Sequence, residues 1–194
     1  MQLKELFDKH GSDKASKHHY HKVYAGVLSE IPVPVIWEIG VDSGASLAAW
    51  QEAAPGAVVV GIDLFKRHTM DEVRRNAPQA KLFKHDSTQS FPSGVAPRPG
   101  LIVDDGSHFF SDQQATLRSF WPHLADGGIY CIEDVWVANL DEPHPWTRRH
   151  PGRYTHAALD KLSATARALD EELVVHDLSG NTGQPDSCIW ELRK

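Results

Sequence analysis

Two short apolar runs in this sequence end in acidic pairs, and those pairs are the residues best suited to do chemistry. Leu101-Ile102-Val103 leads into Asp104-Asp105-Gly106-Ser107-His108, and Ile129-Tyr130-Cys131-Ile132 leads into Glu133-Asp134. If the two runs are neighbouring strands of an open α/β sheet, their carboxyl ends face one crevice, and Asp105, Glu133 and Asp134 converge there. Carboxylates crowded in this way repel one another, and a bound cation relieves the repulsion. Hard oxygen ligands with open positions favour magnesium, with manganese or calcium as substitutes, over zinc. His108 lies three residues past Asp105, where a neutral imidazole beside a metal-bound hydroxyl would serve as general base. The alternative is that some of these acids cap the following helix or stand solvated in the loop. Asp104 divides evenly between such a cap and a role at a cofactor.

A second constellation lies upstream. Glu38-Ile39-Gly40-Val41-Asp42-Ser43-Gly44-Ala45-Ser46 follows an apolar run and precedes a helical pattern. Glycines at such a turn let the backbone bend tightly and approach a ligand, and the helix start offers unpaired N–H groups. The spacing is Glu-x-Gly-x-x-x-Gly, not the Gly-x-Gly-x-x-Gly that cradles a dinucleotide pyrophosphate. A nucleoside cofactor without a pyrophosphate, S-adenosylmethionine, suits it, with Glu38 facing the cationic amino group and Gly40, Ser43 and Gly44 shaping the turn. Asp63 ends the next apolar run, roughly 20 residues on, where an acid holds the ribose hydroxyls of a nucleoside. Asp86, in His85-Asp86-Ser87, falls at the same sheet edge and could read the adenine. Each acid taken alone reads equally as a turn or cap residue.

The elements that must position these groups follow from periodicity. Apolar runs separated by helical segments predict strands over Val35-Ile39, Val58-Ile62, Ala80-Lys84, Leu101-Val103, Gly128-Glu133, Leu173-Asp177 and Ser187-Leu192. Helices are expected over Ser46-Ala54, Thr69-Asn76, Ser111-Leu124 and Thr155-Glu172. In the third of these, Gln114, Leu117, Trp121 and Leu124 form one stripe. Ahead of the sheet, Leu3, Leu6 and Phe7 predict a short helix ending at Gly11. Tyr20, Val23, Tyr24, Val27 and Leu28 predict a second, stopped by Pro32 and Pro34. The segment between, Gly11-Ser12-Asp13-Lys14-Ala15-Ser16-Lys17-His18-His19-Tyr20-His21, reads either as a strap over the cofactor or as a solvated helix start. Phe91-Gly100 and Glu142-Tyr154 read as loops, the second a candidate lid.

The expected whole is one α/β domain spanning 1–194, with an N-terminal helical cap over 1–34 and a Rossmann-like, seven-stranded, mostly parallel sheet over 35–194, its last strand antiparallel. Two cysteines, each inside an apolar run, suggest neither a disulfide scaffold nor a thiolate metal site. A formal charge of -6 disfavours a nucleic-acid partner, since that binding rests on a basic face. No apolar run reaches membrane-spanning length, and the charged start Met1-Gln2-Leu3-Lys4-Glu5 does not resemble an export signal, so a soluble, cytoplasmic protein is expected.

Taken together, Glu38-Ile39-Gly40-Val41, Gly61-Ile62-Asp63, Asp104-Asp105-Gly106-Ser107-His108 and Ile132-Glu133-Asp134, preceded by Gly11-Ser12-Asp13-Lys14 and a His-x-Tyr, resemble the metal-dependent sugar O-methyltransferases that tailor macrolide antibiotics, the mycinamicin and macrocin type. The glycine turn and ribose acid are shared with class I S-adenosylmethionine-dependent methyltransferases at large; the Asp-Asp-Gly-Ser-His and Ile-Glu-Asp pair is far more specific. The likeness spans residues 11 to 135. It implies that Asp105, Glu133 and Asp134 bind Mg2+, that His108 removes the proton of a sugar hydroxyl and that Asp63 holds the ribose. The partner so implied is a small hydroxylated acceptor such as a glycosylated natural product. Those enzymes carry an additional N-terminal portion, so the acceptor and any homo-oligomer stay open. Three other readings remain: a metal-independent methyltransferase of the same fold, a nicotinamide-dependent oxidoreductase and a non-catalytic module that binds the cofactor. Trp136, His144, Trp146, Arg148, Arg149 and Tyr154 follow the acidic motif closely enough to line an acceptor pocket.

Overall fold

The computed structural model describes residues 2–136, 140, 149–150 and 152–194. Three helices lead in: α1 (Leu3–His10), α2 (Asp13–Ser16) and α3 (His21–Glu30). Strands and helices then alternate as β1 (Val35–Ile39), α4 (Ala45–Ala53), β2 (Val58–Asp63), α5 (Met70–Asn76), β3 (Lys81–Lys84), β4 (Leu101–Asp104), α6 (Phe110–Phe120) and β5 (Ile129–Ile132). Among the described residues α7 (His156–Leu169), β6 (Val174–Asp177), α8 (Ser179–Thr182) and β7 (Cys188–Arg193) complete the chain. The strands form one seven-stranded sheet in the order β3-β2-β1-β4-β5-β7-β6. All neighbours are parallel except β7, which runs antiparallel to both β5 and β6.

Side-chain alternation along the central strands builds a core on each face. On β1, Val35, Trp37 and Ile39 join Phe110, Phe120, Tyr130 and Leu162 in one cluster, while Ile36 points to the opposite cluster with Leu6, Phe7, Tyr24, Leu47 and Trp50. Central strands covered on both faces read as unbroken apolar runs, which is why β1, β2, β4 and β5 stand out in the sequence. Edge strand β6 is different: Val174 and Val175 are 42% and 45% exposed.

Several sequence boundaries move for local reasons. The helix expected over Ser111-Leu124 ends at Phe120 and continues as a 3-10 turn over Trp121–His123, with Pro122 at its start. Its buried stripe is Phe110, Gln113, Leu117 and Phe120, rotated from the expected one. Gln114 instead donates to Lys161 O and Thr165 Oγ1 across the α6–α7 contact. The helix expected to reach Glu172 stops at Leu169 with Asp170 extended. Two one-turn helices, α2 and α8, are too short to show periodicity. Both cysteines are buried and unpaired, and no described helix is long and apolar enough to cross a membrane. Of the loop expected over Glu142-Tyr154, His144, Trp146 and Arg148 lie outside the described residues. Trp136 and Tyr154 face each other with ring centroids 5.9 Å apart.

Candidate active site

The carboxyl ends of β1, β2, β4 and β5 open on one crevice, at the point where the strand order reverses between β1 and β4. Gly40 is the pivot. Its φ is +79°, and a Cβ there would lie 2.1 Å from the Asp105 carbonyl oxygen and 2.6 Å from Gly106 Cα, so only glycine lets the two loops pass. Gly44 is required for another reason: it caps α4 at φ +86°, and a Cβ would meet Val73 Cγ1 at 2.9 Å.

Two adjoining cavities occupy the crevice and share Gly40, Asp63, Arg67 and Gly106. The first, about 490 Å³, is lined in part by Ile39, Asp63, His85, Asp86 and Ser107. Asp63 is fixed by its own loop, accepting from Val41 N at 2.9 Å and from Phe65 N. Asp86 accepts from Thr88 N and Oγ1, which hold its carboxyl below the ordinary range. The second cavity, about 420 Å³, is lined by Asp105, His108, Glu133 and Asp134 together with Asp13, Lys17 and His18.

Thus the structure brings Gly40, Asp63 and Asp86 to the first cavity, and Asp105, His108, Glu133 and Asp134 to the second. It places Glu38, Ser43, Gly44 and Asp104 outside both linings. Glu38 is fully buried beneath the crevice, accepting from Trp50 Nε1 at 3.0 Å. Ser43 faces α5, its carbonyl accepting from Asn76 Nδ2. Asp104 lies on the other face of the sheet, accepting from Tyr130 Oη at 3.2 Å and Gly106 N at 3.4 Å. Burial pushes its carboxyl up to about 8.

The floor of the second cavity is built by the N-terminal segment, which the sequence left as strap or solvated helix. Ser12 caps α2 and aims Lys14 inward, where the side chain is 1% exposed. Its ammonium donates to Asp105 Oδ2 and Glu133 Oε2, each at 2.6 Å, and lies 3.3 Å from Glu38 Oε1. Burial alone would lower the lysine pKa, but Asp105, Glu133 and Glu38 outweigh it and hold the ammonium well above its ordinary value. Tyr24 donates to the other oxygen of Glu133. Tyr20 donates to Asp134 Oδ1 and accepts from Asp134 N and Cys188 N, stitching the end of β5 to the start of β7. Asp134 has a φ of +54°, a strained setting for a non-glycine residue that these contacts maintain.

His108 stands across the cavity, with Nδ1 3.8 Å from Asp134 Oδ2. That nitrogen is buried without a hydrogen-bond partner among the described residues, while the ring is 37% exposed. One oxygen each from Asp105 and Asp134 and one nitrogen of His108 lie within 4.8 Å of one another. Sequence reasoning missed the parts played by Lys14, Tyr20 and Tyr24, because the tyrosines fit an apolar helical stripe and a lone lysine carries no periodic signal.

A β3-β2-β1-β4-β5-β7-β6 sheet with β7 reversed and a glycine turn after β1 is the class I methyltransferase fold. Residues 37–135 match the family described as "Methyltransferase domain", and the chain belongs to that family. Among characterised proteins it is 31% identical over 150 residues to the 8-demethyl-8-(2-methoxy-alpha-L-rhamnosyl)-tetracenomycin-C 3'-O-methyltransferase of Streptomyces olivaceus, covering 70% of this chain and 37% of that one. It is 30% identical over 167 residues to the mycinamicin VI 2''-O-methyltransferase of Micromonospora griseorubida, covering 81% and 40%. The structure of the MycE methyltransferase of the mycinamycin pathway, in complex with Mg, SAH and mycinamycin VI, superposes with a TM-score of 0.72 at 19% identity, over 100% of this chain and 53% of that one. The chain therefore spans about two-fifths of those two relatives' length.

Proposed function

We propose that the protein is an S-adenosylmethionine-dependent O-methyltransferase that methylates a sugar hydroxyl of a glycosylated natural product with the help of Mg2+. The observation that carries this reading is the junction of the two cavities: a nucleoside-sized space with an acid at its β2 edge opens, past Gly40 and Gly106, onto three carboxylates and an imidazole. The named substrates of the relatives, rhamnosyl-tetracenomycin and mycinamicin VI, support the acceptor class.

Both groups fit the residues present. Gly40 lets the loops after β1 and β4 pass in contact, and Asp63, which lines the first cavity with spare lone pairs on both oxygens, suits the ribose hydroxyls. Asp105 and Glu133 already share one cation, the Lys14 ammonium, and Asp134 brings a third carboxylate beside Asp105. We assign these three carboxylates to the divalent ion. Bound there, the cofactor would supply the methyl group and the ion would make the acceptor hydroxyl easier to deprotonate.

The chain's own residues do the rest. Asp134 faces Nδ1 of His108, which favours the tautomer protonated at that nitrogen and leaves Nε2 to take the acceptor's proton. Alignment of acceptor and methyl donor across the junction of the two cavities would add to the acceleration.

The deciding experiment is methyl transfer to a rhamnosylated polyketide, with S-adenosylmethionine and Mg2+ or with a chelator, alongside thermal unfolding with S-adenosylhomocysteine and with NAD+. Product formation lost on chelation, with stabilisation by S-adenosylhomocysteine alone, is the expected result. Full activity under chelation would sink the metal assignment, and stabilisation by NAD+ alone would sink the cofactor assignment.

A further inference from the structure

Asp105 is claimed twice. Its Oδ2 accepts from the Lys14 ammonium at 2.6 Å, and the same carboxylate belongs to the group with His108 and Asp134 that can hold a metal ion. Lys14 has somewhere else to go. Glu38 Oε1 is buried and lies 3.3 Å from Lys14 Nζ, an ion pair with no aligned hydrogen bond among the described residues, and a buried oxygen of this kind gains from a full hydrogen bond.

We propose that Lys14 is a resident counter-cation that pivots: it holds Asp105 and Glu133 when no divalent ion is bound, and releases Asp105 to the ion by turning to Glu38. This rests on the reading of the crevice as a divalent-cation site. Charge favours the exchange without any loss of the lysine proton. Three carboxylates, Glu38, Asp105 and Glu133, face the single ammonium, and Asp134 lies beside Asp105, so a dication brings the group closer to neutrality while Lys14 stays charged. Hydrogen bonding favours it too. Lys14 keeps Glu133 and exchanges one acceptor for another, its long ion pair with Glu38 closing to a full hydrogen bond. Glu38 ends two residues before the Gly40 turn, so the pivot ties the metal site to the strand that carries the cofactor loop. Lys14 is thereby a positioning residue that sets metal affinity, not a group that touches the acceptor.

The pivot is tested with Mn2+ as the probe, its binding followed by electron paramagnetic resonance on the full chain without cofactor. Lys14→Met removes the competitor and should bind Mn2+ about tenfold more tightly, while Glu38→Met removes the alternative berth and should bind it about tenfold more weakly. If Glu38 acts through Lys14, the double variant binds as tightly as Lys14→Met. If the two are independent charges, it returns to wild-type affinity and the pivot is wrong. Unchanged affinity in Lys14→Met also overturns it, leaving the metal site intact. Loss of Mn2+ binding in Asp105→Asn is the control for that site, and absence of Mn2+ binding in the wild type would remove both readings together. Should Lys14→Met fail to fold, the wild-type protein answers by nuclear magnetic resonance. The Lys14 ammonium signal should shift on saturation with Mg2+, and a signal that stays in place overturns the proposal.

Discussion

The two cavities of the crevice are made in different ways. The first is shaped by backbone: a glycine that no other residue can replace at Gly40, and an acid, Asp63, held by the N–H groups of Val41 and Phe65. The second is shaped by side chains whose charges pair across the sequence, Lys14 with Asp105 and Glu133 at separations of 91 and 119 residues. A backbone site tolerates exchange of its neighbours, whereas a site of buried charge depends on every member being present.

That contrast can be broken most directly at Glu133. Replacing it with alanine removes one of the two short acceptors of the Lys14 ammonium and leaves the buried Tyr24 hydroxyl without its carboxylate, and should cost about 3 kcal/mol, read as a lowered denaturant midpoint. A smaller loss would mean that water reaches the floor of the second cavity. Next comes His108→Ala, for which turnover is expected to fall by about 10²–10⁴ with S-adenosylhomocysteine affinity unchanged. Retained turnover would remove His108 as the base. On the backbone side, Asp63→Ala should weaken S-adenosylhomocysteine about tenfold or more, on the order of 1.4 kcal/mol, with little change in Mn2+ binding; equal loss of both ligands would show that the cavities are not separable. The smallest expected effect is at the sulfurs. Burial pushes the Cys188 thiol up to about 12 and raises that of Cys131 as well, so neither should react with a thiol reagent at neutral pH until the protein unfolds. Rapid labelling of the native protein would contradict the packing at β5 and β7.

The same division explains what could be read beforehand. Strands buried on both faces appear as apolar runs, and the acids that end β4 and β5 are contiguous with them, so the sheet and the convergence of Asp105, Glu133 and Asp134 were legible. Gly40 was legible because a turn leaves a glycine in the sequence. Glu38 was read toward the cofactor, yet the alternation of β1 turns it onto Trp50 and Lys14, on the opposite face from Trp37. Asp104 sits one residue out of phase with Asp105 and for that reason faces Tyr130 instead of the crevice. Lys14, Tyr20 and Tyr24 were not legible as site residues, because nothing local marks a side chain whose partner lies about a hundred positions away.

The N-terminal helices bear on how this domain can be recombined. Leu6 and Phe7 pack with Trp50, and Lys14, Tyr20 and Tyr24 complete the charge network beneath β4 and β5. The N-terminal helices and the sheet thus share one apolar cluster and one charge network, which is what matters for chimeras. Grafting this segment from a relative would succeed only when the donor brings a lysine and two tyrosines in register, and a gene fragment starting at Val35 would encode every strand yet lack the counter-charge its own acids need.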